Sequence, residues 1–187
     1  MAVLLALLLA DEAALRSAFE TSIKAAEPAK RVEAVKKLAG AKEEKSVALL
    51  AGHLNDEAKE VRLAVAEALQ GVTDGAGAAV KPLAALLVDK KADPDVRLAC
   101  AKALAKSTYK HGPTHAMIET ICSIGNEDRD LHKFGAEVTG ILNKFTGEDF
   151  GKGKLTPGLW EQWWADNKAK LEKEDAARLE AYRKSQK

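Results

Sequence analysis

Two cysteines in 187 residues exclude a disulfide framework and a four-cysteine metal site. Neither sign of charge prevails: Lys+Arg 29 against Asp+Glu 28 leaves a formal net charge of +1. That removes the usual electrostatic reason to expect a nucleic-acid or anionic-membrane binder. Aromatic residues make up only 5%, so the three tryptophans that cluster near the end stand out. No segment alternates with a convincing period of two, and β-branched residues are scattered, which excludes a sheet protein. A nucleophile elbow, a phosphate-cradling glycine loop, an H-E-x-x-H pair and a calcium loop are all missing. The glycine-rich stretch at 75–79 follows a helical pattern instead of a strand, and GEDFGKGK at 147–154 lacks a P-loop's final Lys-Ser/Thr.

What is present is enough to fold. Apolar residues supply 47% and charged ones 30%, which fills a core without the bias of a disordered chain. The length suits one domain or a short array of repeats. Residues 2–10, AVLLALLLA, form the longest apolar run. As a helix it would span about 13–14 Å, less than half of a ~30 Å bilayer core, so it is no membrane span. Its length suits the apolar region of an export signal, with Ala10 as the last residue before cleavage. No Lys or Arg precedes it and Leu8 stands where a small residue is usual; the competing reading makes 3–9 an apolar first helix covering the end of the fold. Export is the expectation.

The strongest signal is self-similarity. VRLAVAEAL at 61–69 returns as VRLACAKAL at 96–104, offset by 35 residues and differing only at Val65/Cys100 and Glu67/Lys102. RVEAVKKLAG at 31–40 and LHKFGAEVTGIL at 131–142 are looser copies. Each copy follows another helical pattern: Leu15, Phe19 and Ile23; Val47, Leu50 and Leu54; Val80, Leu83 and Leu87; Ile118, Ile121 and Cys122. Polar, Gly or Pro breaks separate them at Gly40, Asn55 with Asp56, 71–77, Asp93 with Pro94, and 111–113. Pro113 and Pro157 stand where helices begin, and Pro82 falls inside or at the first turn of one. The spacing predicts four antiparallel helix pairs at 11–40, 43–71, 77–106 and 113–145. A period of this size marks a stacked solenoid, because one pair cannot bury its apolar face alone.

The stretch PLAALLVDKKADPDVRLACAKAL at 82–104 has a proline-led first helix, an Asp in the turn, and Val-Arg opening a second helix that closes on Ala-Leu. In this it resembles a HEAT-type, armadillo-like repeat, and residues 47–69 repeat the pattern with a shorter turn. The resemblance spans about 11–145 and is loosest in the last unit, where His132 replaces the Arg. It implies an all-α, right-handed α–α superhelix whose second helices line a concave face. It also implies a ladder in which Arg62 and Arg97 hydrogen-bond turn acids such as Asp56, Asp89 or Asp95.

TPGLWEQWWADN at 156–167 places Trp160, Trp163 and Trp164 on one helical arc of about 100°. With Phe145 and Phe150 these rings are expected to seal the last repeat as a capping helix; Trp163 at the edge is the candidate for a partner contact. Residues 168–187 mix charges at helical spacing and are expected to extend that helix beyond the body as a solvated tail. The divisions are therefore 1–10, an apolar export segment; 11–150, the repeat array; and 151–187, cap and tail. The tail resembles those following HEAT-type arrays in exported bacterial proteins, which implies no function.

Candidate chemistry is sparse. His111 and His115 stand four apart with Gly112 and Pro113 between them, which argues against a shared helix face, so no metal is expected with Cys122 or His132. Cys100 replaces Val65 of its sister repeat and reads as a small core residue, as does Cys122; a Cys100–Cys122 bridge stays open. No cofactor is expected.

The function these features favour is a non-catalytic, monomeric protein-interaction scaffold. Glu33, Lys37, Glu67, Gln70, Lys102, Lys106, Lys133 and Glu137 are its candidate surface positions. Partner contacts centre on Glu67, Gln70, Lys102, Lys106 and Trp163, and the alternating signs favour a protein or peptide over an anionic polymer. Two alternatives are a HEAT-frame enzyme of the bilin lyase type, and a nucleic-acid binder using Lys102, Lys106, Lys110, Lys133 and Lys144. The protein hydroxylases of this frame need His-Glu pairs, and the chain has no His-Glu dipeptide.

Overall fold

The computed structural model describes residues 2–40, 43–70, 77–124, 129–150 and 155–185, with side chains for all of these except 2–11 and 129–130. Among the described residues there are nine helices and no strand. They are α1 (Ala2–Ser22), α2 (Pro28–Leu38), α3 (Glu44–Ala51), α4 (Lys59–Leu69), α5 (Gly77–Val88), α6 (Pro94–Leu104), α7 (His111–Cys122), α8 (Arg129–Thr146) and α9 (Pro157–Ser185). Most of the break at 71–77 and the turn at 151–154 lie outside the described residues, as does Met1. The apolar run from residue 2 belongs to the same helix as 11–22. No helix among the described residues is long and apolar enough to cross a membrane.

The first eight helices are the four expected pairs. First helices pack on first helices, α1 on α3, α3 on α5 and α5 on α7; second helices do likewise, α2 on α4, α4 on α6 and α6 on α8. The result is an α–α solenoid of two layers. The twin nonapeptides form α4 and α6 and lie side by side, with Val61 and Val96, Val65 and Cys100, and Leu69 and Leu104 buried at equivalent places. Leu38 closes α2 in the same way. Each such leucine contributes about 1.5–3 kcal/mol by burial, and it does so only where the neighbouring pair covers it.

Local chemistry sets the helix ends. Asp93 accepts from the Asp95 N–H at 2.9 Å, and Pro94 follows it as the first residue of α6, a position where proline's missing N–H costs nothing. Gly147 has φ +85° and donates its N–H to Asn143 O at 2.9 Å, which closes α8 with a left-handed residue. Pro82 sits inside α5.

Three expectations need correction. Leu15 is 39% exposed while Phe19 and Ile23 are buried, so the first helix contributes a narrower apolar stripe than its spacing suggested. α3 stops at Ala51, and Leu54 is buried from the turn that follows. α7 begins at His111, two residues before Pro113, because a proline in the first turn needs no N–H partner. His111 and His115 therefore do share a helix, and both rings lie against Trp164, with centroids 5.0 and 5.1 Å away.

Candidate functional site

The second-helix layer carries the expected surface positions. Glu33 and Lys37 on α2 are exposed and pair with each other at 2.8 Å. Glu67 is exposed on α4 and Gln70 is half-buried just beyond it; Lys102 and Lys106 are exposed where α6 ends; Lys133 and Glu137 are exposed on α8. The structure brings three of the five favoured partner residues together. Gln70, Lys102 and Lys106 line one groove of about 390 Å³ with Ala105, Ile141, Lys144 and Phe145. Glu67 lies outside its lining. Lys144 was visible only as one lysine among others; Ile141 and Phe145 gave no sign of a site, because an apolar residue at a helix end reads as core.

Trp163 is elsewhere. It is half-buried, and its indole N–H donates to Glu148 Oε1 at 3.2 Å. Trp160 is 0% exposed and meets Phe150 edge-on at 4.8 Å and Trp163 at 5.7 Å. Phe145 sits apart, with its ring 3.5 Å from Lys110 Nζ, which also donates to Phe145 O at 3.0 Å. That contact removes Lys110 from any free basic surface. Burial, then the nearby Arg178, lower the Lys110 pKa, and Asp175 offsets part of this.

α9 lies along α7 in the opposite direction. Cys122 at the end of α7 faces Pro157 O at the start of α9. Asp175, far along α9, accepts from the Lys110 and His111 N–H groups at 2.8 Å, where α7 begins. Leu179 and Tyr182 continue over Gly77, Val80 and Tyr109 and enclose a cavity of about 290 Å³ with them. The charged segment thus folds back on the array instead of projecting beyond it.

The ladder exists with different members from those expected. Arg62 donates to the main-chain oxygens of Asp56 and Glu57 at 2.7 and 2.9 Å, not to a carboxylate. Arg97 donates to Leu87 O at 2.8 Å and lays its guanidinium over the Phe134 ring at 4.6 Å. It is buried, which lowers its pKa, while Asp89 acts in the opposite sense. Asp95 takes the ammonium of Lys59 at 2.9 Å, as Asp93 does. The carboxylate-bound arginine is Arg31, whose Nε and Nη2 meet the two Asp56 oxygens at 3.0 and 2.9 Å. Arg31 also anchors Ala25 O and Ala26 O, as Arg62 anchors its own turn. Sequence reasoning missed Arg31, although it stands seven residues before Leu38 just as Arg62 precedes Leu69 and Arg97 precedes Leu104.

The two thiols are free. Burial pushes Cys100 up to about 12. It also pushes Cys122 up to about 11, with Glu161 adding to the effect. Both are therefore protonated and weak as ligands or nucleophiles near neutral pH. Among the described residues no three His, Cys, Asp or Glu side chains are grouped so as to hold a metal ion.

With two helix layers and an arginine column repeating across α2, α4 and α6, the family is decided by one further observation. A family model described as HEAT repeats matches residues 15–105, from within α1 to the end of α6. Residues 15–105 are HEAT repeats. The fourth pair, α7 with α8, lies beyond the matched residues and continues both layers. Comparison with curated proteins and with solved structures gives no match.

Proposed function

We propose that this HEAT array is a non-catalytic scaffold that binds a protein or peptide on its second-helix face, the concave side in such arrays. HEAT repeats typically mediate protein–protein contacts, which supports the class of partner. The observation that carries the choice of face is the groove where α4, α6 and α8 end, in which Gln70, Lys102 and Lys106 surround apolar side chains. Leu15 and Leu159 are the large exposed apolar residues, and neither lies on a second helix. In this reading 11–150 is the binding array, 151–187 is its cap, and the protein acts as a monomer. The apolar segment 2–10 supports export, which mass analysis of the mature N-terminus tests.

The scaffold reading is tested with peptides selected by display against the full chain. Charge reversal at Glu67 or Lys102 is expected to weaken their binding, and Lys45→Glu on α3 to leave it unchanged. Selected peptides that respond to Lys45→Glu alone overturn the choice of face.

A further inference from the structure

We propose that the groove between the ends of α4, α6 and α8 is a socket for an acidic peptide segment that carries one bulky apolar side chain. This rests on the protein-binding reading above and specifies the partner's chemistry. Lys102 and Lys106 stand one turn apart where α6 ends, and Lys144 faces the same groove from the last turn of α8. Among the described residues none of the three forms an ion pair. The main competing explanation is that these lysines merely offset the carbonyl ends of the helices. A helix C-terminus carries roughly half a negative elementary charge, so three such ends supply about one and a half against three ammonium groups. The groove keeps a positive excess.

Its floor selects among anions. Ile141 and Phe145 are apolar, and a groove of about 390 Å³ is near the small end of the ~300–1,000 Å³ typical of ligand sites. It accommodates a side chain, not a helix. Phe145 is only 9% exposed, too little ring for a base to stack on. A nucleic acid would therefore use the lysines and waste the floor, whereas an acidic segment with a leucine or phenylalanine engages both.

The probe is a fluorescein-labelled peptide with glutamates on both sides of a central leucine, bound to the full chain and followed by anisotropy. Binding that weakens with added salt is expected. The double variant Lys102→Glu with Lys144→Glu is expected to weaken it at least about tenfold. Lys45→Glu serves as the control, since Lys45 is exposed on α3, a first helix, and lies outside the groove's lining. Exchanging the peptide's leucine for serine is expected to weaken binding about tenfold or more. Circular dichroism checks the variants, and Lys102→Gln with Lys144→Gln replaces the reversal should it unfold. Equal binding by wild type and variant, equal binding of the serine peptide, or displacement by oligothymidylate at lower concentration than the peptide overturns the socket. Should the acidic probe fail while display-selected peptides still respond to Glu67, the socket alone falls; should those too ignore the second helices, the wider reading falls.

Discussion

Asp56 receives the two N–H groups of Arg31 side by side, at 3.0 and 2.9 Å, across the junction between the first and second HEAT pairs. Its Oδ1 also accepts the Ala58 N–H at 2.8 Å. The same carboxylate thus starts α4 and holds the preceding repeat against it. The side chains of the pair are 6% and 9% exposed, so neither has water to fall back on.

Asp56→Ala is expected to lower Tm by about 5–10 °C, because it strands a buried guanidinium. Glu57→Ala, which removes an exposed partner of the same arginine, should change Tm by no more than about 2 °C. Burial works to raise the Asp56 carboxyl, but the donors on Arg31 and Ala58 outweigh it and leave it below the usual value. The folded state therefore binds this proton less readily than the unfolded state. The pair's stabilisation is complete above about pH 4 and fades as pH falls further. Thermal melts of wild type and Asp56→Asn across that range should converge at low pH; a constant gap would refute the pair's role.

His53 packs edge-on against Phe19 at 5.3 Å. Burial lowers its pKa, and Asp56 offsets part of that. Its NMR titration midpoint is expected below the ordinary ~6.5. The linked stabilisation is present above that ordinary value and is lost as pH falls through the folded midpoint. A midpoint at or above the ordinary value contradicts the burial.

Cys100 in the native protein should resist alkylation at pH 8, since its pKa is pushed up to about 12, and should react once denaturant is added. Cys100→Val copies Val65 of the sister repeat and is expected to change stability by less than about 1.5 kcal/mol. A larger loss in a urea melt would mean the two repeats pack differently.

Trp160→Ala is expected to cost about 3–5 kcal/mol and to loosen α9 from α7. Hydrogen exchange reads the second effect at the Lys110 and His111 amides, which Asp175 holds. Asp175→Ala should speed the same two amides while leaving the tryptophan fluorescence unchanged. Protection that survives both substitutions would separate α9 from the start of α7.

The repeat architecture was legible because the nonapeptides 61–69 of α4 and 96–104 of α6 differ at only two positions, so one pattern announced both and the period supplied the rest. Looser copies were read less well. α2 opens on Pro28, and its copy of the repeat, RVEAVKKLAG, lacks the Val-Arg opening that marked Arg62 and Arg97. Partner choice within the ladder depends on which turn acid comes within reach, which spacing along the chain does not convey. The groove was half visible: Lys102 and Gln70 declared themselves as polar positions within or just after the second helical patterns, whereas Ile141 and Phe145 joined them only when three helix ends met. The course of α9 could not be read, because a few contacts from Asp175, Leu179 and Tyr182 decide it within a segment of otherwise solvated charge.

The reversed run of α9 has a consequence for the end of the array. It runs along α7 in the opposite direction, continues over α5, and offers exposed charge outward at Glu172, Lys173 and Arg183. The edge of α7 on that side is thus covered from within the chain, by a rod whose outer face is charged.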